Sequence, residues 1–297
     1  MTSEKQPRKI PLNTALSLIL LSVLVLSGSV GLAILYFQHV KENHASNDAF
    51  NIVAIIQTTS HHEALNTAYL AELLDLSTDK PTNLYRFNSK EAQRKLLASP
   101  LITHVEIKKV RPGTIYIDYE MRRPIAFLSD YSNTAIDSKG VPFPFSPFFT
   151  PKSLPEIYLG MGRHNPEGGE EALDPAQMKL ALDCLQYLSK HCCPENAVIK
   201  KIDVSQAFAP SYGLRQIVVT MEDVMTLKSN GKNVLYTFPR ILRLPAEDYK
   251  QALANYGILR KRLLQEKPPA SKDAVVRVAP LFIDLRLPSL AYMQCSI

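Results

Sequence analysis

The sequence predicts an α+β protein with one N-terminal transmembrane helix, a compact module of order β-α-α-β-β, and a second mixed domain with a largely antiparallel sheet. Three observations predict it: an uncharged apolar segment near the N-terminus, a stretch that combines strand alternation with two helical periods, and several further strand patterns around two amphipathic helices. These patterns divide the chain into a tail at 1–14, a transmembrane helix at 15–37, a linker at 38–49, a first module at 50–122 and a β domain at 123–297 that ends in an edge strand.

The composition is that of a globular protein joined to one apolar segment. Hydrophobic residues make up 46% of the chain and charged residues 21%, so the chain can bury a core. The formal net charge is +6, but Lys5, Arg8 and Lys9 precede the apolar segment against the single acid Glu4, and the remaining surplus is spread along the chain. A nucleic-acid partner requires a clustered basic face, so none is predicted.

The apolar segment at 15–37 contains no charged side chain. A helix of that length is about 35 Å long, enough to cross a hydrocarbon core of about 30 Å. Because the basic residues Lys5, Arg8 and Lys9 precede it, the positive-inside rule places the N-terminus in the cytoplasm. The alternative is a cleaved signal peptide, but the stretch is longer than a typical signal core and no small-x-small cleavage site follows it.

The first module opens on a strand pattern from Phe50 and continues with a helical period over residues 65–76. Asn88 is placed as the N-cap of a second helix, because Glu91 follows it by three residues, as in a capping box. The sequence therefore predicts two helices between the first strand and the next.

Two strands complete the module. Residues 101–110 place Val105 and Ile107 on one face, and Arg111-Pro112-Gly113 supplies a turn. Thr114–Arg122 then alternates without a break, which is typical of a half-exposed sheet. The residues predicted to face inward are Ile115, Ile117, Tyr119 and Met121.

The second domain contains a segment at 142–155 that holds five prolines and four phenylalanines and therefore runs extended. We expect these aromatic rings to pack onto the second domain rather than to form a partner patch: Phe143, Phe145, Phe148 and Phe149. Helices are predicted over 174–190 and 246–265, and Asn230-Gly231 predicts a tight hairpin turn. The predicted strands are Val198–Val204, Leu214–Thr220, Val224–Ser229, Lys232–Thr237 and Ala279–Arg286.

Several stretches carry a pattern that is shared with known proteins. They are Asn83-Leu-Tyr-Arg-Phe-Asn88, Ser99–Ile117, Glu120-Met-Arg-Arg-Pro-Ile-Ala126, Thr134–Val141 and Ile283-Asp-Leu-Arg286. In this order and register they resemble the FtsQ/DivIB family of bacterial cell-division proteins, in which a POTRA domain follows a single membrane anchor. Leu287 stands where that family carries a tyrosine.

The resemblance implies a function and a place in the cell. It implies a non-enzymatic scaffold of the divisome that links partner proteins to septal peptidoglycan synthesis. The chain would sit in the bacterial inner membrane as a single-pass type II protein with a periplasmic ectodomain, enriched at the septum. The implied partners are FtsB/FtsL-like coiled-coil division proteins and other divisome components. They would bind by β-strand addition to the terminal strand at Phe282, Ile283, Asp284, Leu285, Arg286 and Leu287.

No motif for catalysis is found in the sequence. There is no G-x-S-x-G, and His61-His62 has no H-E-x-x-H context that would make it a metalloprotease site. The adjacent acids Glu222 and Asp223 are expected to be solvated near the start of a strand. The sequence therefore predicts no catalytic residue and no cofactor site.

The four cysteines, Cys184, Cys192, Cys193 and Cys295, lie in the predicted ectodomain. Zinc at His191 with the adjacent Cys192-Cys193 pair is disfavoured, because no C-x-x-C or H-x-x-H partner occurs elsewhere. Free or singly bridged thiols are expected, and no metal site is predicted.

Two other functions remain open from the sequence. A POTRA-type chaperone or assembly factor of an envelope export machine would use the same strand addition, although such proteins usually carry several POTRA repeats and a membrane barrel. An anchored cell-wall hydrolase would have to degrade peptidoglycan itself, which a zymogram detects.

Overall fold

The computed structural model describes residues 12–60, 63–161, 174–192, 196–229, 232–266 and 273–295. The chain divides into two compact units, Met1–Glu120 and Met121–Ile297. Each unit has its own sheet: three strands in the first and ten in the second.

Helix α1, Leu12–Ser46, contains the predicted apolar segment. In the part from Leu20 to Ser46, the most apolar stretch of 18 residues has a mean hydropathy of 2.2. This part is long enough and apolar enough to cross a membrane. Ser27 and Ser29 return their hydroxyls to the helix, since they donate to the carbonyls of Leu24 and Leu26 at 3.1 and 2.9 Å. Residues 38–46 were expected to form a linker, but they are the last turns of this helix, because the stretch contains neither proline nor glycine to end it.

The first unit has the predicted order β-α-α-β-β. Its elements are β1 Ala54–Thr59, α2 Thr67–Leu73, α3 Ser89–Leu97, β2 Ile102–Val110 and β3 Thr114–Met121. The sheet order is β1-β3-β2, with β1 parallel to β3, so β1 and β2 are its two edges.

Local sequence signals position these elements. The Asn88 side chain accepts from the backbone N–H groups of Lys90 and Glu91, so the predicted N-cap of α3 is confirmed. The four predicted inward residues of β3 are all buried: Ile115, Ile117, Tyr119 and Met121. Their alternation follows from the two-residue period of a strand that has one face on the core.

The described residues of the second unit form ten strands and two long helices. The strands are β4 Ala126–Leu128, β5 Thr134–Ile136, β6 Pro142–Pro144, β7 Glu156–Tyr158, β8 Ala197–Asp203, β9 Ile217–Ser229, β10 Lys232–Leu244, β11 Val275–Arg277, β12 Leu281–Asp284 and β13 Tyr292–Cys295. The sheet order is β13-β12-β10-β9-β8-β7-β4-β5-β6, and β11 also pairs with β10. The longest pairing, between β9 and β10, is antiparallel, so the sheet is mixed and largely antiparallel as predicted.

Helices α4, Pro175–Tyr187, and α5, Tyr249–Leu263, bury residues in one core with the sheet. The predicted packing of the phenylalanines is confirmed for Phe143, Phe145 and Phe149, which are buried. The two strands predicted at Leu214–Thr220 and Val224–Ser229 are instead joined in the single strand β9, which begins only at Ile217, while Leu214 belongs to the short helical turn Tyr212–Leu214. The predicted turn at Asn230-Gly231 lies outside the described residues.

Pro239 occurs inside the long strand β10. The carbonyls of Thr237 and Arg243 accept from the N–H groups of Val278 and Leu285, so odd-numbered residues of β10 direct their backbone groups toward β11 and β12. Pro239 falls in the gap between the two stretches that pair with β11 and β12. A proline is tolerated there because its missing N–H has no strand facing it.

The position of the sheet edge differs from the prediction. Phe282–Leu287 was expected to be an edge strand, but β12 has a neighbour on each side, β10 in parallel and β13 antiparallel. The chain turns back after β12, where Leu290 N–H donates to the Leu287 carbonyl at 3.3 Å. This turn returns residues 292–295 to β12, so the outermost strand is β13.

Candidate partner-docking surface

Strand β12 is the centre of the surface that the sequence predicted to bind partners. Ile283 is 0% exposed and belongs to the core, whereas Phe282 on the opposite face is 39% exposed. Beyond the strand, Leu285 is buried and Leu287 is exposed. The six predicted residues are therefore contiguous, but only part of the set can reach a partner through its side chains.

Strand β13 covers the outer side of β12 over four residue pairs. Met293 faces Ile283 and Tyr292 faces Asp284 in this register. Tyr292 is 68% and Met293 45% exposed, so β13 adds little to the core. Among the described residues no strand pairs with the other side of β13, and its backbone groups on that side form an open sheet edge.

Arg286, predicted to contact a partner, makes bonds within its own chain. Its Nε and Nη2 donate to the Asp284 carboxylate at 3.0 and 2.8 Å, and its Nη1 donates to the Gly213 carbonyl at 3.1 Å. Burial opposes the charge on Asp284, but Arg286, with help from Arg243, outweighs it and lowers the pKa of the Asp284 carboxyl. Arg286 therefore fixes the exit of β12 and the loop at Gly213.

A cavity of about 1340 Å³ opens beside the turn between β12 and β13. It is lined by the start of α5, by the short helical turn Tyr212–Leu214, and by residues 284–292. The exposed apolar side chains on its rim are Tyr212, Leu287, Leu290 and Tyr292. The strand edge and this cavity together form the docking surface, defined as β12, β13 and the cavity lining.

Sequence reasoning missed two contributors to this surface, β13 and the turn Tyr212–Leu214. β13 has four residues, too few for an alternating pattern to stand out after the proline-containing turn. The run Ala291–Cys295 contains no β-branched residue. The one sign of a strand in it is the aromatic residue Tyr292, because aromatic residues are enriched in strands.

A buried charge cluster holds α5 against the sheet. The Asp223 carboxylate accepts from Arg240 Nε at 3.1 Å and from Arg260 Nη2 at 2.5 Å. Asp223 is 0% exposed, and Glu222 beside it pairs with Arg277 at 2.6 Å. The expectation that these two acids are solvated is wrong, because they lie in the middle of β9, where α5 and the neighbouring strands cover them.

The cysteines and histidines form no ligand cluster in the part of the chain that the structure describes. There, no group of three or more His, Cys, Asp or Glu residues is placed to hold a metal ion. Cys184 and Cys192 are free and buried, and burial raises the pKa of the Cys184 thiol to about 12, which keeps it protonated at neutral pH. His61-His62, Cys193 and the Cys295 side chain lie outside the described residues.

Comparison with known proteins identifies the first unit. Residues 58–118 match the family model described as POTRA domain, FtsQ-type. The match runs from the end of β1 to β3 and so covers both helices and two of the three strands. No curated protein matches the chain at a significant level. Residues 58–118 are thus an FtsQ-type POTRA domain, and the chain is a POTRA-containing protein, as the sequence resemblance predicted.

Proposed function

We propose that the chain is a non-enzymatic scaffold of the bacterial divisome that binds partner division proteins at the septum and links them to septal peptidoglycan synthesis. The observation that carries the proposal is the FtsQ-type POTRA domain directly after a helix able to cross a membrane. Proteins with this domain type are generally non-enzymatic, and the strand edges of both sheets suit binding through the backbone.

The proposed docking site is β12 and the residues after it, Phe282–Leu287, for an FtsB/FtsL-like partner. An extended partner segment would hydrogen-bond to the backbone at this end of the sheet, and alternate side chains would select it. The exposed Phe282 ring and the apolar rim of the cavity support this site, because both offer apolar area at the margin. The edges of the POTRA sheet, β1 and β2, are a second place for other divisome components.

The proposed location is the bacterial inner membrane. Helix α1 would span it once, and the basic residues Lys5, Arg8 and Lys9 would hold the N-terminus in the cytoplasm. The POTRA domain and the β domain would then be periplasmic and enriched at the septum.

Photo-crosslinking in living cells tests the docking site. A photo-reactive amino acid at Phe282, which is 39% exposed, should crosslink a small coiled-coil division protein at midcell. The matched control is the same amino acid at Val198 in β8, which is 38% exposed. Equal crosslinking from the two positions, or no division protein among the products of Phe282, would exclude this site.

Fluorescent tagging of the full-length chain separates the scaffold from the export chaperone. Midcell enrichment supports the scaffold, and a uniform envelope signal supports the chaperone. A zymogram of the purified full-length protein on peptidoglycan tests the hydrolase, and a clear lysis band would overturn the proposal.

A further inference from the structure

We infer that β13 occupies the partner's place on β12, and that a partner binds by strand exchange, in which its own extended segment displaces Tyr292–Cys295. The inference rests on the proposed function, because it concerns how the same docking surface is reached. The partner it fits is a protein that presents an extended segment antiparallel to β12.

Only one side of β12 can be exchanged. On the inner side, β12 pairs with β10, and β10 is itself paired with β9 and β11, so it cannot leave without disrupting the sheet. On the outer side stands β13, joined to the sheet only through β12 among the described residues. A partner that contacts Phe282–Leu287 through the backbone therefore has to take the side that β13 fills.

The contacts of β13 are those of a removable strand. It pairs over four residues, and of its described side chains, those of Tyr292, Met293 and Gln294, none belongs to the core that contains Ile283. The turn that closes it requires Ser289 at φ +63, a left-handed conformation that a side chain disfavours. Displacing β13 uncovers few apolar contacts and relieves that conformation, so it is the weakest member of the sheet at this end.

A partner can form more pairs than β13 does. The ladder between β12 and β13 stops at Asp284, because residues 285–291 are themselves the connection between the two strands. A separate chain has no such connection and can continue opposite Leu285, Arg286 and Leu287, where the Arg286 N–H would exchange its 3.1 Å bond to the Asp284 carboxylate for a bond to the partner. Because β13 is tethered to β12, it competes for β12 at an effective concentration of roughly millimolar. The extra pairs that a partner forms offset this advantage.

The register of β13 describes the segment that the site accepts. The residue opposite Ile283 is Met293, and the residue opposite Asp284 is Tyr292. A partner strand should therefore carry a flexible apolar residue toward the core face and, beside it, a residue that combines an aromatic ring with a hydroxyl or similar polar group. Further apolar residues would reach the cavity rim at Leu287 and Leu290.

A covalent link between the two strands tests the exchange. Leu285 N–H donates to β10, so by alternation Leu281 directs its backbone groups away from β13, and Leu281 and Cys295 form a non-hydrogen-bonded pair. Such pairs have Cα atoms about 4.5 Å apart, within disulfide range. The variant Leu281→Cys should therefore bridge to the native Cys295 on oxidation and lock β13 in place. Its matched control is Leu281→Cys with Cys295→Ser, which cannot form the bridge.

Two probes are measured on the full-length protein in detergent, with the bridge verified by mass spectrometry. The first is the division protein recovered by co-purification, and the second is a labelled peptide copy of residues 288–295 with serine at position 295. The oxidised Leu281→Cys protein should lose both, and reduction should restore them, while the control binds both in either state. A variant that lacks residues 292–297 should bind the peptide about tenfold more tightly than the wild type, as expected if β13 is closed in about 90% of molecules.

The outcomes separate this inference from the proposed function. If the oxidised Leu281→Cys protein captures the division protein as well as the control does, or if removal of residues 292–297 abolishes capture, then the partner adds outside β13 and exchange is refuted. If the bridge does not form, the comparison of the shortened variant with the wild type decides the question alone. If the wild type captures no division protein at all, the proposed function fails, whatever the peptide does.

Discussion

Substitution of Asp223 by asparagine removes the carboxylate that Arg240 and Arg260 share in the core of the second unit. The side chains of Arg240 and Arg260 are only 5% and 11% exposed, so neither guanidinium can be rehydrated in place. Loss of one partner from such a buried cluster typically costs about 3–5 kcal/mol, because a charge is left without compensation. For a unit of this size, that loss lowers the melting temperature by roughly 6–20 °C.

Thermal unfolding of the full-length Asp223→Asn protein in detergent, followed by circular dichroism, measures this loss. The matched control is Asp75→Asn, since Asp75 also bonds to a basic residue, Lys95, at 2.5 Å but is 76% exposed. The control should melt as the wild type does, because solvent screens the exposed pair. If Asp223→Asn also melts within about 2 °C of the wild type, the cluster does not stabilise the unit and the argument from burial is refuted.

Three further predictions concern the first unit and the docking surface. Gly113→Ala should destabilise the POTRA domain by about 1–3 kcal/mol in urea unfolding, because the added Cβ collides with the backbone carbonyl of Asn51; unchanged stability would contradict the close approach. Asn88→Ala should cost about 1 kcal/mol in the same assay through loss of the α3 cap, whereas Asn88→Ser should retain most of it. Because the folded-state pKa of Asp284 is lowered, the stability that its pair with Arg286 provides is present above the unfolded pKa of about 3.9 and is lost as the pH falls through the folded pKa. The wild type should therefore be more stable than Asp284→Asn at pH 7, and this difference in stability should disappear as the pH falls below about 4. A difference that persists in acid would point to packing instead.

Most of the first unit could be predicted from its sequence, because its signals are local. The β3 alternation, the Asn88 cap and the apolar run of α1 each depend on residues within a few positions of one another. The same holds for the packing of Phe143 and its neighbours, which the prolines between them make extended. The POTRA fold follows from such elements, since a short β-α-α-β-β chain has few ways to bury its apolar faces.

The docking surface was only half predictable. The residues Phe282–Leu287 were found by resemblance, and their strand was found by its apolar pattern. The return of Tyr292–Cys295 onto β12 was not predicted, because a strand of four residues has no detectable period. Its pairing depends on which backbone N–H and C=O groups the rest of the fold leaves unpaired. The role of Arg286 within its own chain was hidden for the same reason, since Gly213 is distant in sequence.

The sequence by itself determined the apolar helix that is long enough to cross a membrane, the order of elements in the POTRA domain and the type of that domain, because periodicity, caps and short motifs depend on neighbouring residues. Only the tertiary structure decided which strand is outermost, that β9 is a single strand, and that Asp223 is buried between two guanidiniums. These features depend on segments far apart in the chain that come together when the core forms, and burial then changes what an acidic residue or a strand edge can do.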